Sequence, residues 1–352
     1  MKSNQPSKDS GNVPAPQGVA SEVPSNEPVP ADGGRGRTPA PEGGAARDSA
    51  NADPDRSSCW NPDSAAHKSH LSQTEIELLE RIERRVQAGD FELPQLPSTA
   101  QKIMNLAANP KFEMDEVVEV IASDPVLSSE VLKVANSVIY GGRVACESLR
   151  DAIMRVGLRG VRSVMLTLSM RSAILRDPHL MILAIEIWRQ SNSVAHLARH
   201  LADRARIEPE SAYLLGLTHD IGKVALLSLV AEHTRRQGQI SAAFLGTLFV
   251  RFHEDVGSRM AEEWGLPPEI VSVAGCHHVY MRNEQFPREA ALVSLAHKID
   301  LSVSQGQKKA FSELVTTGEM DVLGIDEGIR VGLLKEALTL LRDTDRFTGS
   351  AA

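Results

Sequence analysis

The sequence predicts an all-α protein: a multi-helix bundle in two helical subdomains, preceded by a disordered tail. Apolar residues recur at spacings of three and four along most of the chain after about residue 70. Pro, Gly, Asn and Asp stand where these apolar stripes break off, as they do at helix ends. No stretch shows the two-residue alternation and turn chemistry that predict a β-sheet.

Composition excludes several classes of protein. The chain has 352 residues, of which 42% are hydrophobic, so two domains with a real core are possible. The net charge of −8 argues against broad nucleic-acid binding, which needs a basic face. Three cysteines (Cys59, Cys146 and Cys276) form no CxxC pair, and no stretch approaches the ~18 consecutive apolar residues of a membrane span. Because a secretory signal is also missing, we expect a cytoplasmic protein that binds neither nucleic acid nor a membrane.

Residues 1–69 differ in kind from the rest of the chain. Pro, Gly, Ser, Ala, Asn, Asp and Glu dominate this segment, and it has no hydrophobic periodicity. Such a segment buries too little apolar surface to offset its loss of conformational entropy, so we expect it to be disordered. Trp60 is its only aromatic residue and is interpreted as incidental rather than as a docking element.

A lead-in helix and a helical half follow the tail. Residues 70–90 contain a capping-box pattern, Ser72 to Glu75, ahead of an apolar stripe that should end near Gly89. Residues 91–177 then read as an amino-terminal half of short helices separated by turns. The predicted helices of this half are Ser98–Ala108 capped by Ser98, Glu116–Ala122 capped by Asp115, about 125–137 after Asp124, Ser148–Val156, and Val161–Leu175 after a turn at Gly157–Gly160.

Residues 178–305 form a second helical half, and residues 306–352 form a helical extension with a frayed tail. The predicted helices are His179–Ala205, a central helix from about Glu208 through His219, Phe244–Trp264, a helix that reaches His278, Glu289–Val303, and Asp326–Arg342.

The chemistry of the chain centres on the segment Leu214–Lys223, which contains the doublet His219–Asp220. Neighbouring residues on a helix point about 100° apart, so we do not expect this His and Asp simply to pair with each other. Both can instead converge on a third body, such as a metal ion or a polar partner from another helix. Four further histidines follow in apolar helical contexts: His253, His277, His278 and His297.

Several motifs occur in an order that resembles a known family. The first half contains Leu-Pro-x-Leu-Pro from residue 93, Asp-Pro-x-Leu from residue 124, Leu-x-x-Ala-Asn-Ser-x-x-Tyr-Gly from residue 132 and Ala-Ile-x-x-x-Gly-Leu from residue 152. The second half contains Trp-Arg-Gln-Ser from residue 188, Leu-Thr-His-Asp-Ile-Gly from residue 217, His-x-x-x-Gly from residue 253, Trp-Gly-Leu-Pro from residue 264 and the pair His277–His278. Together they resemble an HDOD domain, an HD-related output domain of bacterial regulatory proteins, over residues 91–305.

The resemblance implies a two-part helical bundle whose second part is related to HD and HD-GYP phosphohydrolases. HD enzymes hold one or two divalent ions with an early His, the His-Asp doublet, later histidines and a final Asp. Here Gln190 stands at the position of the early His, and His297 stands at that of the final Asp, with Asp300 three residues later. The Gly-Tyr-Pro signature of the HD-GYP branch is missing after His278.

Each candidate residue has a structural interpretation beside the functional one. Because of Gln190, we interpret His219 and Asp220 as a polar pair that clamps helices rather than as ligands. His253 remains equally a remnant ligand or a buried imidazole bonded to a carbonyl. The remaining candidates are interpreted as follows: one of His277 and His278 is exposed, His297 occurs there by chance, His196 and His200 lie on a solvated face, Lys223 snorkels, and Gly157–Gly160 is a turn.

Two functions therefore stand. The first is a non-catalytic signal-transduction module that binds a protein partner, such as a component of a two-component or cyclic-di-GMP pathway, with no cofactor. No receiver domain fits in residues 1–69. In this case a groove around Leu127, Asn136 and Tyr140 receives the partner. The second is a metal-dependent phosphohydrolase acting on a nucleotide or cyclic dinucleotide. It would hold a divalent ion with His219, Asp220, His253, His277, His278 and His297, and would use Asp220 and Lys223 in catalysis.

Overall fold

The structure, a computed structural model, confirms the all-α fold. It describes residues 71–109, 111–137, 139–141, 144–174, 180–237, 240–304 and 313–348, and these ranges contain helices and no β-strand. The predicted tail at residues 1–69, including Trp60, lies outside the described residues. The predicted domain boundaries at residues 91, 178 and 305 remain predictions.

The helices of the first part of the chain are short except for the last. Their bounds are α1 Gln73–Ala88, α2 Ser98–Ala108, α3 Met114–Ala122, α4 Pro125–Ala135 and α5 Leu149–Ile174. The second part contains α6 Met181–Ala205, α7 Pro209–Thr218, α8 Ile221–Gln237, α9 Ala242–Glu263, α10 Pro268–Gly275, a 3-10 turn at Tyr280–Arg282, α11 Pro287–Ser304, α12 Gly318–Leu323 and α13 Glu327–Thr348.

Local capping explains where most of these helices begin and end. Ser72 and Glu75 form the predicted capping box of α1, and Gly89 ends that helix in the left-handed conformation at φ 67°. The Asp124 carboxylate accepts from two backbone N–H groups at the start of α4. Two predicted caps were wrong. Ser98 is the first helical residue of α2 rather than its cap, and Asp115 lies inside the first turn of α3, where it complements the helix dipole.

The break predicted between two helices at Gly157–Gly160 is confined to one residue. Gly157 has φ 72° and ψ 167°, a combination open essentially to glycine alone, and α5 is helical on either side of it. The chain therefore changes direction at Gly157 without leaving the helix for a full turn.

The helices of the second half pack closely against one another. Helix α6 packs along α7, and α9 packs against both α8 and α10. One continuous apolar stretch among the described residues, Pro209–Ala231, has the length and hydropathy of a membrane-crossing helix, and 83% of its most apolar window is buried inside the bundle.

The helices after residue 305 belong to this same bundle. Arg288 of α11 donates hydrogen bonds to the carbonyl oxygens of Ala205, Val322 and Leu323, so it joins the end of α6 to the end of α12. The Glu319 carboxylate on α12 is 1% exposed and accepts from the Ser294 hydroxyl of α11 at 2.8 Å. The carboxy-terminal extension is thus held by buried polar contacts as well as by apolar packing.

Candidate functional site: a buried His/Asp cluster

The His219–Asp220 doublet lies at a turn and not within one continuous helix. Helix α7 ends at Thr218 and α8 begins at Ile221, which leaves the doublet at the junction. The His219 ring is fixed there, since its Nδ1 lies 2.8 Å from the Gly216 carbonyl oxygen and donates to it. Its Nε2 then lies 3.1 Å from Asp220 Oδ2. The two side chains therefore lie closer together than neighbours on one regular helix would, although His219 Nε2 has no hydrogen-bond partner.

Asp220 is the centre of the cluster. Its Oδ2 accepts from Lys223 Nζ at 2.5 Å, and its Oδ1 lies 3.6 Å from His253 Nε2 and 3.7 Å from His277 Nε2. The carboxylate is only 1% exposed. Burial acts to raise the pKa of Asp220, but His219 and Lys223 outweigh burial and hold that pKa well below its usual value. Asp220 is therefore a buried, ionised carboxylate.

The close approach of α8 and α9 brings His253 to this carboxylate. A Cβ on Gly222 would lie 1.9 Å from the His253 carbonyl oxygen, so a larger residue cannot occupy that position. His253 Nδ1 lies 2.5 Å from the Phe249 carbonyl oxygen, which turns Nε2 towards the cluster. The sequence left open whether His253 is a ligand or a buried imidazole bonded to a carbonyl; the structure shows the carbonyl contact and places Nε2 in the cluster.

Both residues of the His277–His278 pair belong to the cluster. Helix α10 ends at Gly275 and not at His278, so the pair lies on irregular chain. The Glu254 carboxylate accepts from the backbone N–H groups of both histidines, at 3.0 and 3.1 Å. His277 is fully buried, and His278 Nε2 lies 3.0 Å from His253 Nε2. The expectation that one of the pair is exposed is therefore wrong, because helix geometry does not apply to it.

Helix α11 completes the cluster with His297. The ring centroid of His297 lies 5.0 Å from that of His219 and 5.3 Å from that of His278. Gln190 of α6 reaches the same place, with its Nε2 3.4 Å from His297 Nε2. His297 is therefore part of the cluster. Asp300 lies one turn further along and points to Arg189 instead, at 3.5 Å.

The donor atoms of the cluster fit a divalent metal ion. Ligand atoms of His219, His277 and His297 lie within 4.8 Å of one another, as do those of the set His253, Glu254, His277 and His278. Within the part of the chain that the structure describes, His219 Nε2, both ring nitrogens of His277, His297 Nδ1 and Asp220 Oδ1 have no hydrogen-bond partner. Buried polar atoms without partners are costly, and imidazole with carboxylate suits divalent ions of the zinc and manganese type.

The protonation states agree with this fit. Burial lowers the pKa of His253 to about 3 and that of His278 to about 4. Burial also holds the pKa values of His277 and His297 well below their usual value. These imidazoles are neutral at physiological pH, which is the form that coordinates a metal.

Other sequence candidates lie outside the cluster. His196 and His200 are half-buried, not on a solvated face, and they do not form a metal pair: the His196 ring packs edge-on against Tyr213 at 5.4 Å, and His200 lies 3.7 Å from Glu336. Lys223, in contrast, belongs to the cluster and does not only snorkel, because it pairs with Asp220.

The residues proposed to line a partner groove have other contacts. Leu127 is 3% exposed, so it is a core residue and cannot meet a partner. Asn136 makes two hydrogen bonds with the backbone of Cys146, which closes the loop between α4 and α5. Tyr140 donates to Glu210 of α7, so it joins the two halves rather than lining an open groove.

Sequence reasoning did not identify Glu254 or Glu210. Glu254 follows His253 directly, but nothing in the sequence shows that its side chain reaches the backbone of His277. Glu210 lies near the start of the predicted central helix, and its partners Tyr140 and Ser163 are 70 and 47 residues away along the chain. Only the fold brings such residues together.

Comparison with known proteins supports the resemblance. The model of the HDOD domain family matches residues 93–280, which is more than half of the chain. An uncharacterized protein of Treponema pallidum (strain Nichols) is 27% identical over 195 residues, which cover 53% of this chain and 38% of that relative. The chain therefore spans less than half the length of this relative.

Solved structures with the same fold include three bacterial proteins. A candidate metal-dependent phosphohydrolase of Shewanella amazonensis SB2B is 21% identical, with a TM-score of 0.59 over 76% of this chain and 99% of that one. An HDOD protein of unknown function from Geobacter sulfurreducens is 23% identical, with a TM-score of 0.58 over 78% and 98%. A candidate signal transduction protein of Marinobacter aquaeolei VT8 is 22% identical, with a TM-score of 0.55 over 82% and 66%. At these identities the likeness shows the fold alone, and the family match leads to the conclusion that the chain belongs to the HDOD domain family.

Proposed function

We propose that this HDOD chain is a non-catalytic regulatory module of bacterial signal transduction that acts by binding a protein, and that its His/Asp cluster is a closed structural centre. The observation that carries this proposal is the burial of the cluster. Asp220 is 1% exposed, and His219 and His277 are fully buried. A hydrolytic metal site needs an open coordination position and room for the substrate, whereas structural sites are closed.

Gln190 supports the same conclusion. It stands where the HD enzymes begin their ligand set with a histidine, and its amide group lies against His297. A carboxamide is a weaker ligand than an imidazole for borderline divalent ions. Gln190 therefore occupies the position of a ligand, but it makes an ordinary side-chain hydrogen bond of the kind found in folded cores.

A bound ion is nevertheless favoured in this closed centre. The sequence alone suggested that no metal is bound, because Gln190 leaves the family's ligand set one short. The unpaired ring nitrogens of His219, His277 and His297 favour the opposite, since ligand atoms of these three residues lie within 4.8 Å of one another and Asp220 Oδ1 lies 3.7 Å from His277 Nε2. When bound, a divalent ion would supply positive charge that these groups otherwise lack. The ion would then add to folding stability, as structural metals do.

One observation favours the alternative, a phosphohydrolase. Lys223 is paired with Asp220 while its side chain remains 15% exposed, so a cation lies between the cluster and solvent. Such a lysine could meet a phosphate group at the edge of the site. The name of the Shewanella relative is consistent with this alternative.

Hydrolysis assays separate the two functions. Wild type, Asp220→Ala and Gln190→His, each supplied with manganese or nickel, would be assayed with bis(p-nitrophenyl) phosphate and a cyclic dinucleotide. We expect wild type and Asp220→Ala to release product at the same background rate. Turnover that wild type shows and Asp220→Ala lacks would overturn the proposal in favour of the enzyme. Gln190→His tests whether the missing imidazole explains the lack of hydrolysis. Restoring that imidazole would produce turnover only if a substrate can reach the site.

A further inference from the structure

A second polar cluster lies at the other end of α7 from His219. Its centre is Glu210, in the first turn of α7. Glu210 Oε1 accepts from the Tyr140 hydroxyl and from Arg199 Nη2 at 2.5 Å, and its Oε2 accepts from the Ser163 hydroxyl at 2.7 Å. The side chains of Arg199 and Glu210 are 15% and 12% exposed. Donors from three separate segments of the chain therefore meet on one largely buried carboxylate.

Aromatic rings hold the guanidinium of this cluster in place. Arg199 lies over the ring of Tyr213 at 4.3 Å and over that of Tyr140 at 5.8 Å. The Tyr213 hydroxyl in turn lies 3.2 Å from Thr167 Oγ1 of α5. Burial and the hydrogen bond to Glu210 raise the pKa of Tyr140, so its hydroxyl stays protonated and donates. The Glu210 latch, as we call Tyr140, Arg199, Glu210 and Ser163, joins the amino-terminal half to α6 and α7.

A candidate hinge lies close to this latch. Gly157 interrupts α5 at φ 72° and ψ 167°, and a Cβ placed there would meet nothing within 4 Å. Before the hinge, Arg155 of α5 donates to the carbonyl oxygen of Ala135 at 3.3 Å, so Pro125–Ala135 and Leu149–Val156 form one unit that we call the α4–α5 arm. Two large apolar side chains of this arm face solvent, Val126 at 63% and Met154 at 58% exposure.

We propose that Gly157 and the Glu210 latch form a conformational device: when Tyr140 leaves Glu210, the α4–α5 arm swings away from α6 and α7 about Gly157. The open state is accessible because Glu210 keeps Arg199 and Ser163 as partners, so no unpaired carboxylate is left buried. Helices α2 and α3 pack against α4 and α5, so they move with the arm and keep that packing. This device is independent of whether the His/Asp cluster holds a metal or hydrolyses a substrate.

Distances between spin labels test the device in the full-length chain. Nitroxides are attached through ketone amino acids, which avoids the native cysteines, at exposed Lys133 on the arm and exposed Gln285 in the second half. Double electron–electron resonance is compared for wild type, Tyr140→Phe and the matched control Tyr280→Phe, which removes a half-buried hydroxyl elsewhere. We expect Tyr140→Phe to raise the population at a second, longer distance by about tenfold, the effect of losing one hydrogen bond to a charged group. The control should keep the wild-type distribution.

A purely structural role for Tyr140 predicts a different result. It would lower the thermal midpoint of Tyr140→Phe while leaving one unchanged distance, and that outcome would overturn the proposal. If Tyr140→Phe does not fold, Glu210→Gln weakens the same hydrogen bond from the acceptor side, because a neutral amide oxygen replaces the carboxylate. It must shift the distribution in the same direction, and an unchanged distribution would again contradict the device.

Discussion

At the scale of single residues, burial decides what the polar groups of this protein can do. Asp220 stays ionised in the core because His219 and Lys223 lie beside its carboxylate, at 3.1 and 2.5 Å, and outweigh the effect of burial on its pKa. The same burial keeps the neighbouring imidazoles neutral. One ionised carboxylate beside several neutral imidazoles can coordinate a metal ion. If the same residues were exposed to water, each would titrate near its usual pKa.

His196 should make the stability of the protein depend on pH. Burial, together with the positive charge of Arg199, lowers the pKa of His196 to about 4, while an unfolded chain keeps it near 6.5. A lowered folded-state pKa means that the unfolded state binds the proton more readily. The stability due to neutral His196 is therefore complete above about pH 6.5 and is lost as pH falls towards 4. The contribution of His196 to the free energy of unfolding that is lost over this range is up to about 3 kcal/mol.

Thermal melts between pH 7.5 and pH 4.5 check this prediction. The variant His196→Phe keeps an aromatic ring against Tyr213 but cannot take up a proton. Its melting temperature should fall less over this range than that of wild type. Equal losses in the two proteins would show that His196 does not contribute to the pH dependence.

The sequence could identify the residues of the His/Asp cluster but not their geometry. The histidines stand out because imidazoles in apolar contexts are unusual, and their order matches a known pattern. Whether His278 faces the cluster depends on α10 ending at Gly275, and whether Glu254 takes part depends on the path of the backbone after that helix. These details depend on tertiary packing, which helical periodicity does not predict.

At the scale of single elements, Gly157 is the residue on which the shape of α5 depends. Replacing it with alanine would force a Cβ into a backbone conformation that is open essentially to glycine alone. We expect Gly157→Ala to lower the free energy of unfolding by about 1–3 kcal/mol, measured by urea denaturation.

Gly332→Ala is the matched control for this substitution. Gly332 lies exposed inside α13, where an added Cβ meets nothing within 4 Å. Alanine there should raise stability by about 0.5–1 kcal/mol, because glycine costs more entropy in a helix. If both substitutions act in the same direction, the backbone at Gly157 is not constrained as the structure indicates.

The helix ends show which features of the fold can be predicted from neighbouring residues in the sequence. The capping box at Ser72 and the cap at Asp124 were predictable, because side chain and backbone donors are neighbours in the sequence. Ser98 and Asp115 misled the prediction, because α2 and α3 begin one or two residues earlier than a capping side chain would place them. The existence of each helix follows from apolar periodicity, while its first residue depends on the turn that precedes it.

At the scale of the whole molecule, the two ends of the chain should contribute very differently to stability. Deleting residues 1–67 should leave the melting temperature unchanged, because that segment has little apolar surface to bury. Deleting residues 313–352 should lower it strongly, since Met320, Leu334 and Ala337 are fully buried. Scanning calorimetry of the two truncated proteins checks both expectations. A drop of several degrees on removing residues 1–67 would show that they pack on the bundle.

The central claim is that the His/Asp cluster is a closed structural metal centre, and it is tested most directly by metal content together with chelator response. Elemental analysis and thermal melts with and without a chelator would compare wild type, Asp220→Ala and the control Glu263→Ala, which alters an exposed carboxylate. We predict about one divalent ion per wild-type chain and a lower melting temperature on chelation, because a ligand of the native state stabilises it by mass action. Asp220→Ala should lose both the ion and the chelator response, and Glu263→Ala should keep both. The claim would be contradicted if the wild type contained no metal and its melting temperature did not change when the chelator was added.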